Sequence, residues 1–202
     1  MMMNNQIQAM LSNRRSFVVA CIVVAQIISL FCGSYSSAGY DAAPPGSHLT
    51  NPRIVVKKSK RLLTLYDAGR EVRKYRVGLG LSPIEDKIRA GDRRTPEGEF
   101  YICSKNSHSQ FYLSLGISYP NREHSERGLR DGLITRAQYN QIVLALNRGR
   151  VPLQNTRLGG EIFIHGNGST SDWTWGCVAL DDNDVKELFD AVPIGTPVTI
   201  QH

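Results

Sequence analysis

Hydrophobic and polar positions change rhythm several times along this chain. Phe17–Cys32 is an almost unbroken apolar run, interrupted only by Gln26 and Ser29. From Arg53 the apolar residues come in short β-rich bursts at Ile54–Val56, Leu62–Tyr66 and Val72–Leu79. Lys58-Ser59-Lys60 and Asp67-Ala68-Gly69-Arg70 separate them, and both suit hairpin turns. In the third burst Val72, Lys74, Arg76 and Gly78 alternate with Arg73, Tyr75, Val77 and Leu79, the mixed alternation of a half-buried sheet. A polar loop, Leu81–Pro96, precedes strands predicted at Glu99–Cys103 and Phe111–Ile117. Over residues 127–148 the spacing lengthens: Leu129, Leu133, Ile134, Tyr139, Ile142, Val143, Leu144 and Leu146 predict one or two helices. Gly159-Gly160 then punctuates before a strand at Glu161–His165, with another at Cys177–Leu180. A helix over Val185–Ala191 follows, capped by Asp181 or Asp182, and the chain ends in a strand at Val198–Gln201. The pattern predicts a mainly β domain with a small helical insertion and one short helix after the last loop.

The first apolar run has different company. Arg14 and Arg15 precede it, and small and polar residues from Gly33 to Gly39 follow it. A basic start, an apolar core and a small-residue exit describe a secretory signal, with Ser36 and Ala38 offering a cut after Ala38. An uncleaved membrane anchor is the alternative, since the run approaches the roughly 18 residues that span a bilayer. Either way residues 1–38 predict export, with or without an uncleaved membrane anchor. Residues 39–52, with Pro44-Pro45-Gly46, read as a linker to a domain over residues 53–202.

Charge narrows little. Without Arg14 and Arg15, 22 basic residues face 18 acidic ones, a surplus of +4. No basic block is interleaved with aromatics, so nucleic acid is not an expected partner. Membrane contact is expected only through the N-terminal segment. Cysteine changes the picture more. Cys21 and Cys32 belong to the apolar run, which leaves Cys103 and Cys177 in the body. In an oxidising compartment those two either form one structural disulfide or leave a reactive thiol.

The segment Ile162-Phe163-Ile164-His165-Gly166-Asn167-Gly168-Ser169-Thr170-Ser171-Asp172-Trp173-Thr174-Trp175-Gly176-Cys177-Val178 bears on that choice. An apolar strand, His-Gly, a loop of small residues and Gly-Cys would bring an imidazole to a thiol. The thiolate is the nucleophile, so a thiol needs a base. Glycine before the cysteine lets a carbonyl approach, and successive N–H groups can hold an oxyanion. A buried histidine beside a core cysteine is the plain alternative. His108, His124 and His202 read as surface residues. No histidine, cysteine and carboxylate spacing suits zinc, no glycine loop suits phosphate, and no cofactor is called for.

The same segment resembles the active-site signature of the L,D-transpeptidase catalytic domain family, YkuD, through His165, Gly166, Thr174, Gly176, Cys177 and Val178. Arg94-Thr95-Pro96-Glu97-Gly98-Glu99-Phe100 resembles that family's upstream Thr-Pro-x-Gly-x-Phe strand, and Phe111–Asn121 a family strand and turn. Trp175 stands where the family has a second histidine, and Ala179 where Arg or Asn is common. With Trp173 these departures resemble a Gram-negative branch carrying Trp-Thr-x-Gly-Cys-Val/Ile-Ala.

The resemblance implies a YkuD-like β-sandwich, the helical insertion being a candidate lid. It implies Cys177 as nucleophile, His165 as base, the Gly166 carbonyl as orienter of its ring, and Gly176 with Cys177 as oxyanion donors. Trp173, Thr174 and Trp175 become candidates for substrate contact. The implied partners are peptidoglycan stem peptides as donor and acceptor, with carbapenems as covalent inhibitors. The same thioester given to water would make an L,D-carboxypeptidase or a peptidoglycan–lipoprotein amidase, and a non-catalytic wall-binding module is the reading from another class.

Overall fold

The computed structural model describes residues 49–202. The predicted export segment and most of the predicted linker lie outside the described residues. Strand β1 (Pro52–Lys57) pairs antiparallel with β2 (Leu62–Asp67), joined by a 3-10 turn at Lys58–Lys60. A hairpin leads into β3 (Arg70–Arg76), and its central residues Ala68 and Gly69 have φ of 47° and 80°. Two positive φ values match the right-handed twist of the flanking strands, which is why a small residue and a glycine sit there.

Beyond the polar loop come β4 (Gly98–Ser109) and β5 (Tyr112–Ile117), an antiparallel pair. The first runs well past the predicted end at Cys103, because its partner extends the ladder through a polar stretch. Two helices follow: α1 (Arg122–Arg130), capped by the Asn121 side chain, and α2 (Arg136–Asn147), opened by a capping box of Thr135 and Gln138. They bury Ile134, Ile142 and Leu158 in a small cluster of their own. Strands β6 (Phe163–His165) and β7 (Val178–Ala179) are parallel neighbours, α3 (Asp182–Ala191) packs on β5, and β8 (Pro197–Gln201) ends the chain.

The strands form one mixed sheet in the order β3-β2-β1-β8-β4-β5-β6-β7. Its two ends meet. Gly78, just past β3, exchanges backbone hydrogen bonds with Ala179 of β7 (N–H to O distances 2.9 and 2.8 Å). The layered β arrangement therefore comes from a single sheet curled on itself. Tyr75, Val77 and Leu79, one face of the alternation in the third burst, are buried with Ile54, Leu63, Leu115, Ile164, Val178 and Ile200 inside the curl. Val185 and Leu188 of α3 join the same core. Among the described residues no helix is long and apolar enough to cross a membrane.

The polar loop from Leu81 to Pro96 is held by ion pairs. Lys58 is 0% exposed, and its ammonium donates to Glu85 O (2.9 Å), Thr95 O (3.0 Å) and Glu97 Oε1 (2.8 Å). Lys87, also buried, pairs with Asp92 at 2.7 Å. Asp86 accepts from His124 Nε2 (3.1 Å), Arg127 (2.9 Å) and the Glu97 N–H (2.8 Å). Burial works against its charge, but these donors outweigh it and hold the carboxyl well below the usual carboxylate range. His124 was expected at the surface and is 2% exposed. The reason is its place on the inner face of α1, where Asp86 and the Phe100 and Tyr119 rings receive it. His108 and His202 are exposed, as expected.

Lys58→Ala should lower the unfolding free energy by about 2–3 kcal/mol, read from urea midpoints. This is less than a fully buried pair loses, because Glu97 keeps some contact with water. Lys58→Met, which keeps the volume, should lose less. Equal losses would mean that the ammonium's contacts account for the whole effect and the packing of the lysine stem for none of it.

Candidate active site

The parallel pairing of β6 with β7 sets the site. Ile164 faces Val178 and His165 faces Ala179 in register. One step back along that register Cys177 stands beside Phe163, and the Phe163 N–H donates to Cys177 Sγ at 3.4 Å. Side chains alternate along a strand, so Cys177 and His165 share one face while Ile164 and Val178 point into the core.

The connecting loop is fastened at both ends. The Asp172 carboxylate accepts from Arg61 Nε and Nη2 (3.0 and 2.7 Å) and from the Leu79 N–H (2.9 Å). Leu79 O accepts from the N–H groups of Trp173 and Thr174, both at 3.1 Å, and Leu81 N–H donates to Thr174 O. On the other side Asp181 accepts from the N–H and hydroxyl of Ser169, and Asp182 from the Asn167 N–H. Asp181 sits at the N-cap position of α3 but makes no side-chain cap bond. The two acids expected to cap the helix hold the loop instead.

The turn into the cysteine needs glycine. Gly176 has φ of 127°, and a Cβ there would lie 2.7 Å from Arg94 O. The Thr174 hydroxyl donates to Cys177 O (2.8 Å) and accepts from Gly176 N–H (3.1 Å). Thr95 Oγ1 accepts from Gly80 N–H (2.9 Å) and reaches Cys177 O at 3.5 Å. That contact gives the Arg94-Thr95-Pro96 motif its place: it braces the backbone of the cysteine.

His165 is buried against two aromatic rings that also meet each other. Phe111 stacks on it at 4.5 Å and Trp173 meets it edge-on at 5.5 Å. Its Nδ1 lies 2.8 Å from Gly166 O. A carbonyl only accepts, so Nδ1 carries the hydrogen and Nε2 of the neutral ring is left with its lone pair.

The profile of the YkuD family, the L,D-transpeptidase catalytic domain, matches residues 51–200. The chain belongs to this family. A comparison with curated protein sequences finds no match. Among solved structures, the helical cell shape determining protein Pgp2 from Campylobacter jejuni is 22% identical with a TM-score of 0.51, over 75% of this chain and 48% of that one. Bd1075 from Bdellovibrio bacteriovorus is 19% identical with a TM-score of 0.50, over 76% of this chain and 48% of that one. An L,D-transpeptidase from Mycobacterium smegmatis is 12% identical with a TM-score of 0.45, over 75% and 59%. The chain thus spans about half of the Pgp2 and Bd1075 chains, and the likeness to those two is one of fold.

Within this YkuD domain, Cys103 and Cys177 are both free thiols, so the disulfide alternative falls away. Cys177 is half-buried, and its Sγ–H faces Glu161 O at 3.6 Å. Burial pushes the thiol up to about 11, only partly offset by the Phe163 N–H. Burial also lowers His165 below the ordinary histidine range, against the pull of the Gly166 carbonyl. Both shifts favour the uncharged pair. On their shared face, the two directions favour a thiol and a neutral imidazole over a thiolate and an imidazolium.

Three expectations change in detail. Thr174 is buried with its hydroxyl spent inside the turn, so it positions the cysteine rather than meeting substrate. Gly176 N–H, expected in the oxyanion hole, already donates to Thr174. Trp173 is turned inward, its Nε1 donating to Gly168 O at 3.1 Å. Trp175 alone of the three is open, at 67% exposure. Sequence reasoning missed Phe111, Asp172 with Arg61, and Thr95. Asp172, a lone acid in a loop of small residues, was a usable signal for the second; nothing local pointed to Arg61 as its partner.

With Cys103 replaced by alanine, iodoacetamide should label Cys177 slowly at neutral pH, the rate climbing towards a midpoint near pH 11. The sign follows from the thiolate being the reactive form and the folded thiol being raised. Peptide mapping of the adduct checks it. A midpoint near or below 7 would mean a preformed thiolate.

Proposed function

We propose that this protein is an exported L,D-transpeptidase that transfers acyl groups between peptidoglycan stem peptides through a Cys177 thioester. The observation that carries the reading is the shared face of Cys177 and His165, with His165 Nδ1 tied to Gly166 O and Nε2 left to act as base. Family membership supplies the substrate class.

In the first half-reaction His165 Nε2 takes the Cys177 proton as Sγ attacks the carbonyl between the L-centre of diaminopimelate and D-Ala. The Cys177 N–H meets the developing oxyanion. Collapse breaks the C–N bond, His165 returns its proton to the leaving amine, and D-Ala departs from a thioester. In the second half-reaction His165 takes a proton from an acceptor amine as it attacks the thioester, and the proton passes to the departing sulfur. The sum is one amide exchanged for another and one D-Ala released.

The resting pair is neutral, so deprotonation accompanies attack. Acylation should therefore hold its rate below pH 6.5 and fall only as pH drops through the lowered His165 titration. Trp173 and Phe111 keep that imidazole dry and fixed in rotation.

Full-length protein incubated with a tetrapeptide muropeptide, then with meropenem, should gain one covalent mass at Cys177 in each case. Cys177→Ala should gain none, and His165→Ala should acylate roughly 10²–10⁴-fold more slowly with an unchanged melting profile. An adduct persisting in Cys177→Ala or mapping to Cys103 would overturn the reading. Product analysis with an added acceptor stem separates transfer from hydrolysis.

A further inference from the structure

Two exposed side chains close in the fold to Gly176 stack on one another. Trp175, next to Gly176, leaves two-thirds of its indole surface in solvent. The Arg93 guanidinium lies over that ring, its carbon 4.8 Å from the centroid. Arg93 is exposed, and no carboxylate among the described residues pairs with it. Its neighbours are spent. Asp92 serves Lys87 and the N–H groups of Ile88, Arg89 and Arg94, while Arg94 is ion-paired with Glu85.

Arg93 also sits in left-handed backbone, with φ of 58°, an unusual region for a long side chain. Packing enforces it. Ser82 N–H donates to Arg93 O at 3.0 Å, and a Cβ on Gly80 would lie 2.2 Å from that oxygen and 3.2 Å from Gly176 Cα. The Arg93 backbone is thus stacked, through Gly80, on the residue before the nucleophile. The flat guanidinium on an aromatic face keeps its edge N–H groups outward, the geometry that takes a carboxylate in two parallel hydrogen bonds.

We infer that Arg93, steadied by Trp175, binds a carboxylate of the donor peptide flanking the bond that Cys177 breaks. The inference rests on the acyl-transfer reading above and deepens it. That donor carries two carboxylates near the scissile carbonyl: the terminal one of D-Ala and the one at the D-centre of diaminopimelate. A site built around a charged hydrogen bond discriminates strongly against an analogue that cannot make it.

The test compares three donors on full-length protein: the tetrapeptide muropeptide, its terminal D-alaninamide analogue, and its analogue amidated on diaminopimelate. Acylation of Cys177 is followed by intact mass, and kcat and KM are separated. Wild type should lose roughly tenfold or more in kcat/KM with one of the two amides, mostly through KM, and that arm identifies the carboxylate. In Arg93→Ala the preference for the acid over that amide should disappear. Arg93→Lys should restore part of it, and Trp175→Ala should weaken it by several-fold. Acid preference that survives in Arg93→Ala, or wild type indifferent to both amides, overturns the inference and leaves the acyl-transfer reading standing. Wild type forming no Cys177 adduct with any donor overturns both.

Discussion

Two backbone hydrogen bonds between Gly78 and Ala179 hold the ends of the curled sheet together, and the active site is built on that seam. Ala179 lies two residues past Cys177 and faces His165 across the parallel pair. Leu79 and Leu81, continuing from Gly78, take the backbone of Trp173 and Thr174. A Cβ at Gly78 would meet Ser171 O at 2.2 Å, so the seam closes only around glycine. The relation of thiol to imidazole is therefore inherited from the sheet. The loop between them is fastened to it rather than free to set it.

Around Cys177 and His165 the surroundings favour uncharged groups. Few donors reach the thiol, burial raises it, and the same dry environment lowers the histidine. Separating the two into ions inside that environment is unfavourable. The two aromatic rings packed on His165 and the single carbonyl on Nδ1 leave the imidazole one useful lone pair. Charge is concentrated a few residues away, in the loop that carries Arg93. There Lys58, Lys87, Asp86 and Asp92 find partners under the surface. Paired and hydrogen-bonded in full, such ions make a loop without regular secondary structure keep one shape.

Much of this was legible in the sequence, for reasons of range. The strands and the hairpin turns depend on residues next to one another, so the alternation at Val72–Leu79 and the Ala68-Gly69 turn could be read directly. The His-Gly and Gly-Cys pairs were legible for the same reason, since the chemistry needs those residue types in that local order. Element ends were less so: β4 continues to Ser109 because β5 supplies partners, which no local pattern records.

Only tertiary structure decided which polar side chain meets which. Asp181 and Asp182 carry the local signature of a helix cap, yet the loop N–H groups of Asn167 and Ser169 claim their carboxylates. His124 reads as a surface residue until α1 turns it to Asp86, and Asp172 reads as a loop acid until Arg61 reaches it from the turn before β2. The reason is common to all three. Hydrophobic periodicity records how a side chain meets water, whereas a hydrogen bond or ion pair depends on distances of a few ångströms that exist only after the sheet has curled. The sequence by itself determined the β class and put His165-Gly166 and Gly176-Cys177 forward as the candidate pair; the curl decided what would hold them.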